Sequence, residues 1–287
     1  MARIAILTPD PGDAGFHTRW REVLDCTAAP LRRAGFEVQG RSWSEADGLA
    51  CFDLVLPLLV WGYHRAPALW AARVEAWRGE GLRVRNPPSV LTWNADKAYL
   101  GTLAGRGAAV VPTLFVERVT ETALLEAAER FGTERLVAKP RMSSTAWQTI
   151  RWSPGASLAD GPAGAAMIQP YLPAIETSGE VSLLYFGGCY SHAIRKLPQP
   201  GDFRVQPEYD GVISVHQASD DERAAAAAIL AAAGEELLYA RIDLVREPAG
   251  RPILIELELI EPDLYLGFDP GGGAAFADAA SALLARP

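Results

Sequence analysis

In the first third of the chain, short apolar runs alternate with stretches whose apolar positions recur every three to four residues. Arg3–Thr8 is an apolar run that stops at Pro9-Asp10-Pro11-Gly12, and it reads as a first buried strand, too short for a secretory signal. Residues 18–34 carry a helical apolar stripe, 36–39 read as extended and 54–60 as a continuous buried strand. Pro67–Gly79 reads as a helix and 82–84 as a short strand. Strands alternating with helices predict a parallel sheet covered on both faces. Asn86-Pro87-Pro88 punctuates this unit, so residues 1–88 are expected to form one α/β domain and 89–287 the remainder.

The pattern then changes. Residues 89–105 predict one or two helical turns followed by a helix carrying Lys97. Residues 110–115, a helix over Glu121–Phe131, 135–140 and 145–152 form a small α+β module, closed by a Pro/Gly/Ser-rich loop over 153–164. Longer strands follow. Residues 179–186 and Cys189–Leu197 flank Gly187-Gly188, a strong hairpin signal. An alanine-rich helix is expected over 220–238, strands over 240–246 and 252–260 across an Ala249-Gly250 turn, and a terminal helix after Gly271-Gly272-Gly273.

Charge and cysteine content narrow the function classes. The formal net charge is −8 and there is no long basic run, which argues against general nucleic-acid binding. No apolar stretch approaches the roughly 20 residues needed to span a membrane. Cys26, Cys51 and Cys189 lack metal spacing and read as reduced thiols of a cytoplasmic protein.

The basic residues are 24 arginines and only three lysines, Lys97, Lys139 and Lys196. Under such a bias a lysine marks a place where a compact ammonium is needed, although three surface lysines could also have escaped it. Lys139 ends an apolar strand and precedes the small-residue loop Ser143-Ser144-Thr145-Ala146, and Lys196 ends a hairpin strand. Such settings suit phosphate binding. A second signal is Asp243 on one strand with Glu256 and Glu258 on the next. Positions i and i+2 of a strand share a face, and an antiparallel neighbour brings Asp243 opposite them. Hard oxygen ligands without His or Cys point to Mg²⁺ held with phosphate rather than to zinc. The alternative is a solvated face, with Ile255, Leu257 and Leu259 turned inward.

Together these segments resemble the ATP-grasp superfamily, nearest in layout to glutathione-synthetase-like and ribosomal-protein-modifying ligases, from about Asn86 to the C-terminus. The α/β unit before them looks like the family's N-terminal domain. The resemblance implies a two-lobed ATP-grasp module with a lid subdomain over about 110–170 and a C-terminal lobe over 171–287, ATP and Mg²⁺ as cofactors, and a homodimer or homotetramer. It assigns Lys97 and Lys139 to the phosphates, with Ser143, Ser144 and Thr145 in a lid loop that lacks the family's glycines. Gln169, Pro170, Tyr171 and Leu172 resemble the adenine-reading hinge, and Glu176 the ribose contact. Lys196, Arg204 and Arg241 match cations near the transferred phosphate, and Asp243, Glu256 and Glu258 match metal ligands, with Glu258 where the family often has Asn.

The implied reaction phosphorylates a substrate carboxylate to an acyl phosphate, which an amine then attacks. Trp61, Tyr63 and His64 follow a buried strand and are substrate candidates, with Tyr209 and Asp210 behind them. His17, His192 and His216 are read as structural. The phrases Trp93-Asn94-Ala95-Asp96-Lys97, Gly201-Asp202-Phe203-Arg204-Val205-Gln206 and Glu256-Leu257-Glu258-Leu259-Ile260-Glu261-Pro262 look like one compact group, which includes the ligase closing O-ureido-D-serine to cycloserine. A small-molecule kinase and a non-catalytic nucleotide-binding protein are the competing readings.

Overall fold

The computed structural model describes residues 1–10, 12, 19–45, 47–202, 204–205 and 209–286. Pro11, His17, Phe203 and Gln206, all named above, and the first residue of the stripe over 18–34 lie outside the described residues.

Strand β1 (Arg3–Thr8) divides its side chains between two cores. It is followed by α1 (Arg19–Arg33), β2 (Glu37–Ser42), β3 (Leu54–Leu56) and α2 (Pro67–Gly79), and the strands pair in parallel in the order β2-β1-β3. Ile4 and Ile6 face Ala28 and Leu31 of α1, together with Phe276 and Ala280 of the C-terminal helix over Ala274–Leu284. Ala5, Leu7 and Val55 face Trp70, Val74 and Trp77 of α2. Period-two alternation on a sheet buried on both sides produces this split. The expected strand over 54–60 stops at Leu56, because Pro57 has no N–H to continue the ladder. Leu58, Leu59 and Val60 stay buried in a turn, where the Leu59 N–H donates to the Leu7 carbonyl at 3.0 Å. Residues 82–84 contribute a single parallel bridge, Val84 to Val55.

Two short helices follow, α3 (Pro88–Asn94) and α4 (Tyr99–Gly105), and Lys97 lies in the turn between them rather than on a helix. The next sheet contains β4 (Leu114–Val116), β5 (Leu136–Pro140), β6 (Ile150–Trp152) and β7 (Ala166–Pro170) in the antiparallel order β4-β7-β5-β6. Helix α5 (Glu121–Phe131), capped by Thr120 and ended by left-handed Gly132, covers one face through Leu124 and Ala127. The expected strand over 145–152 begins only at Ile150, since Thr145, Ala146 and Gln148 adopt left-handed φ of 51°, 54° and 52°.

The third sheet holds β8 (Glu180–Phe186), β9 (Cys189–Leu197), β10 (Val212–His216), β11 (Tyr239–Arg246) and β12 (Pro252–Glu258), in the antiparallel order β10-β9-β8-β11-β12. A four-residue turn, α6 (Ala174–Thr177), precedes β8. Gly187 and Gly188 both take positive φ (55° and 80°), as a tight hairpin requires. Helix α7 (Asp220–Ala233) opens with a Ser219/Glu222 capping box and ends five residues earlier than expected, where Gly234 turns left-handed.

Strand β12 is an edge strand, and its free side is answered group by group. Leu254 exchanges hydrogen bonds with the backbone of Ala109 and Val111 (2.8 and 2.9 Å). The Leu257 N–H donates to Tyr99 Oη at 2.9 Å, and Asn94 Nδ2 donates to the Leu257 carbonyl at 2.8 Å. The Leu259 N–H donates to Asn94 Oδ1 at 2.9 Å, and its carbonyl accepts from Asn86 Nδ2 at 2.8 Å. Asn86 and Asn94 thus substitute for a missing neighbour strand.

Candidate active site

The three sheets enclose a cavity of about 910 Å³. Its wall includes Lys97, Lys139, Ser143, Ser144, Thr145, Gln169, Pro170, Tyr171, Leu172, Lys196, Arg204, Arg241, Asp243, Glu256 and Glu258, together with Trp61, Tyr63 and His64. Of the residues expected at the site, Glu176 stands apart. Its carboxylate accepts a hydrogen bond from the Tyr171 hydroxyl and lies 3.8 Å from both Arg135 and Arg151, so it is committed outside the cavity wall.

Register explains the polar cluster. Asp243 pairs with Glu256 on one side and Ser182 on the other, Arg241 pairs with Glu258, and Glu180 pairs with Lys196. These positions share one face of the sheet, which is the face turned to the cavity rather than to bulk solvent. Asp243 is 2% exposed. It accepts from Ser182 Oγ at 2.6 Å and Arg241 Nη2 at 2.9 Å, with Lys196 Nζ at 3.4 Å. Lys196 Nζ also donates to Glu180 Oε1 at 2.6 Å, and Arg241 reaches Glu258 as well. The sequence reading missed Glu180. Its signal is an acid at a strand start directly across the hairpin from a buried lysine.

Lys97 is fixed by stitching between the turn at 95–98 and the loop after β5. Its N–H donates to the Arg141 carbonyl at 2.8 Å, and Arg141 holds Asp96 through two bonds of 2.9 and 2.5 Å. Its Nζ donates to the Ser143 carbonyl at 2.6 Å and sits 3.2 Å from Glu256 Oε1. Lys139 projects from β5 on the face away from α5, and among the described residues it makes no hydrogen bond or ion pair. Burial lowers its pKa; Glu256 works against that shift and Lys97 with it. Lys196 behaves oppositely: burial and Arg241 disfavour its charge, but Asp243 and Glu180 outweigh them and raise its pKa. Burial drives Glu258 above the usual carboxylate range despite Arg241, with Asp243 and Glu256 adding to the rise.

The carboxylates have the hard-oxygen chemistry of a Mg²⁺ site, yet among the described residues no three acidic or imidazole groups converge as a ready-made cage. Lys97 draws Glu256 toward itself, while Arg241 draws Glu258 and Asp243. The expected three-carboxylate set is therefore gathered in one cavity but held by cations.

Beside this cluster Val111, Tyr171, Ile175 and Val245 pack with Val137, Leu172 and Ile255 into an apolar slot. Gln169 is 3% exposed and donates to Thr113 Oγ1 at 3.0 Å. Arg204 lines the cavity but pairs with Asp202 at 2.7 Å and lies 3.7 Å over the Tyr209 ring. On the other side His64 is buried and neutral, its pKa lowered to about 4 by burial, Arg65 and Lys97. Trp147, from the loop after β5, brings its ring centroid to 6.0 Å from that of His64. Gly179 (φ 76°) abuts Lys196: an added Cβ would meet the Lys196 carbonyl oxygen at 2.3 Å. Gly179→Ala is therefore expected to destabilise the fold by about 1–3 kcal/mol, measured by urea unfolding, and to lower activity with it.

No family model matches the chain. The cycloserine biosynthesis protein DcsG of Streptomyces lavendulae is 32% identical, over 75% of this chain and 80% of its own length. The chain belongs to the ATP-grasp ligases. As an ATP-grasp ligase it is an enzyme that forms carbon–nitrogen bonds with ATP and Mg²⁺. The crystal structure of D-cycloserine synthetase DcsG superposes with a TM-score of 0.83 at 28% identity, covering 99% of this chain and 100% of that one. D-alanine–D-alanine ligase from Bacillus anthracis superposes with 0.71 at 14% identity, covering 100% and 98%, and shares the fold. Among the described residues no helix of this ATP-grasp ligase is long and apolar enough to cross a membrane.

Proposed function

We propose that the enzyme phosphorylates the carboxylate of a small amino-acid-like substrate and closes a carbon–nitrogen bond on the resulting acyl phosphate. The observation that carries this reading is the gathering of three lysines, Arg241 and the Asp243/Glu256/Glu258 set on the wall of one cavity. The apolar slot beside Gln169 and Leu172 suits a purine, and Lys139, with no partner of its own among the described residues, suits its phosphates. Lys97 and Arg241 would turn their charge toward phosphate oxygens, which frees Glu256 and Glu258 to hold Mg²⁺ with Asp243. Bound there, Mg²⁺ supplies a Lewis acid for the phosphoryl group under attack. Lys139, Lys196 and Arg241 neutralise charge that builds as one anion approaches another. Arg204 and the lid subdomain over about 110–170 complete the enclosure. With three free thiols, Cys26, Cys51 and Cys189, the enzyme fits a reducing cytoplasm.

The similarity to DcsG favours one substrate. We propose O-ureido-D-serine, whose N–O nitrogen attacks the acyl phosphate and closes the ring with phosphate as the leaving group, the carbamoyl group then leaving by hydrolysis as carbon dioxide and ammonia to give cycloserine. An ADP-release assay with Mg²⁺ and mass spectrometry of the products tests this. ADP, phosphate and cycloserine from the single substrate support cyclisation. Turnover only after a second amine is added supports intermolecular ligation, and a stable phosphorylated product makes the enzyme a kinase. Lys139→Ala is expected to lower kcat/KM for ATP by roughly 10²-fold while leaving the melting temperature near wild type. Unchanged kinetics would remove Lys139 from the phosphate site.

A further inference from the structure

Along β12 and beyond it, the chain passes from the apolar slot at Ile253 and Ile255, through Glu256 and Glu258, to Ile260 in the core with Tyr63 and Trp77. Acids on the cavity wall are answered in turn. Lys196 answers Glu180, Arg241 and Lys196 answer Asp243, Lys97 answers Glu256 and Arg241 answers Glu258. Asp263 accepts the Tyr265 N–H at 2.9 Å.

Glu261 is the exception. It lines the cavity, yet no described residue donates to it or pairs with it, and its Oε2 is shut off from solvent without a partner. Burial raises its pKa well above the usual range, and Glu258 adds to the rise. Its neighbour Ile260 packs in one core with Tyr63, and Tyr63, His64 and Glu261 line the same cavity, so the carboxyl belongs to the end built by the turn at 61–65. The same end holds a second unanswered group. His64 is 9% exposed, makes no hydrogen bond to a described residue, and leaves Nδ1 buried without a partner. Buried polar atoms are nearly always paired, so two orphans on one cavity wall mark a place where a ligand supplies the partners. At the β5 side the unanswered group is the Lys139 ammonium, which calls for an anion. At this end it is a carboxyl, which calls for a cation.

We propose that Glu261 seats the ammonium group of an amino-acid substrate, held as a spectator while the substrate carboxylate faces the lysines and Arg241, with the His64 ring as an adjacent polar contact. This rests on the ligase reading above and adds the residue that selects its substrate: Glu261 reads a free α-ammonium and rejects an N-acylated or des-amino acid. A carboxylate and an ammonium that leave water together each remove the other's desolvation cost, whereas a neutral substrate would leave Glu261 unanswered.

The test compares wild type with Glu261→Gln on O-ureido-D-serine and on its counterpart lacking the amino group, 3-(ureidooxy)propanoate. Wild type is expected to prefer the amino compound, and Glu261→Gln to raise its KM by about 30-fold or more without changing KM for the des-amino compound. KM for ATP stays within about twofold, and the melting temperature of the unliganded variant is at or above wild type, since a costly buried carboxyl is gone. Retained discrimination in the variant overturns the proposal, and so does a parallel rise in KM for ATP, which would assign Glu261 to the nucleotide and metal. If wild type does not turn over O-ureido-D-serine, the cyclisation reading fails by itself. The same paired comparison is then made on whichever amino acid releases ADP in a screen. Release of ADP only with acids lacking an amino group, or with no acid at all, overturns the Glu261 seat.

Discussion

Asp243→Asn is expected to lower kcat by on the order of 10²–10³-fold and to cost the fold about 3–5 kcal/mol. Both effects have one origin. Asp243 is buried at the meeting point of Arg241, Lys196 and Ser182, and the two cations each touch a second acid, Glu258 and Glu180. An amide keeps the shape and the contact to Ser182, but it removes the charge that holds two buried cations. Lys196 then retains Glu180 alone, and Arg241 retains Glu258. Stability is read from urea unfolding, and chemistry from single-turnover ADP release at saturating ATP and Mg²⁺. The two measurements separate the roles: a stability loss with kcat intact would make Asp243 a structural counter-ion and remove it from the metal set. Raising Mg²⁺ is expected to recover little of the lost rate, because the Asn oxygen is a neutral and weaker ligand.

How much of this was legible beforehand depends on the range of the interaction that decides each feature. Glu256 and Glu258 were placed on one face by strand periodicity, and Asp243 was brought opposite them by a short hairpin; the observed register agrees. The parallel sheet followed from alternating elements, and its two cores follow from the odd and even positions of β1. Features set by chain path were not legible. Lys97 was expected on a helix, but its turn is dictated by Arg141, 44 residues onward, which draws Asp96 and the Lys97 N–H to itself. Strand β10 was missed because its residues do not alternate in polarity and apolar ones face out: Val212 and Val215 are 55% and 64% exposed. Glu176 matched a family position, yet its carboxylate answers Tyr171, Arg135 and Arg151, none of which sequence spacing could pair with it. Glu261 carries no sequence signal of its own, because lacking a partner is a property only three dimensions reveal.

The largest stability effect is expected at Asn86, a residue singled out as punctuation. Its side chain is fully buried, and its amide donates to the Tyr239 carbonyl at 2.9 Å and the Leu259 carbonyl at 2.8 Å while its oxygen accepts the Leu238 N–H at 2.9 Å. One amide therefore ties the start of β11 to the chain leaving β12, the two strands that carry Arg241, Asp243, Glu256 and Glu258. Asn86→Ala leaves two carbonyls and one N–H buried without partners, at about 1–3 kcal/mol each, so a loss of about 3–6 kcal/mol is expected against a typical total of 5–15. Asn86→Asp should not rescue it, since a carboxylate keeps the acceptor, loses both donor bonds and buries a charge. Thr92→Ala, on an exposed side of α3 where Thr92 Oγ1 donates only to the Pro88 carbonyl, serves as the comparison and should stay within about 0.5 kcal/mol of wild type. Urea unfolding reads all three variants. A loss below about 1 kcal/mol for Asn86→Ala would mean that the strand ends relax and find other partners, and the view of Asn86 and Asn94 as a substitute edge strand would have to be given up. If the loss is found, activity should fall with it even though Asn86 does not line the cavity. The acids on β11 and β12 act at distances of a few ångströms from their cations, and those distances hold only while the two strands keep their register.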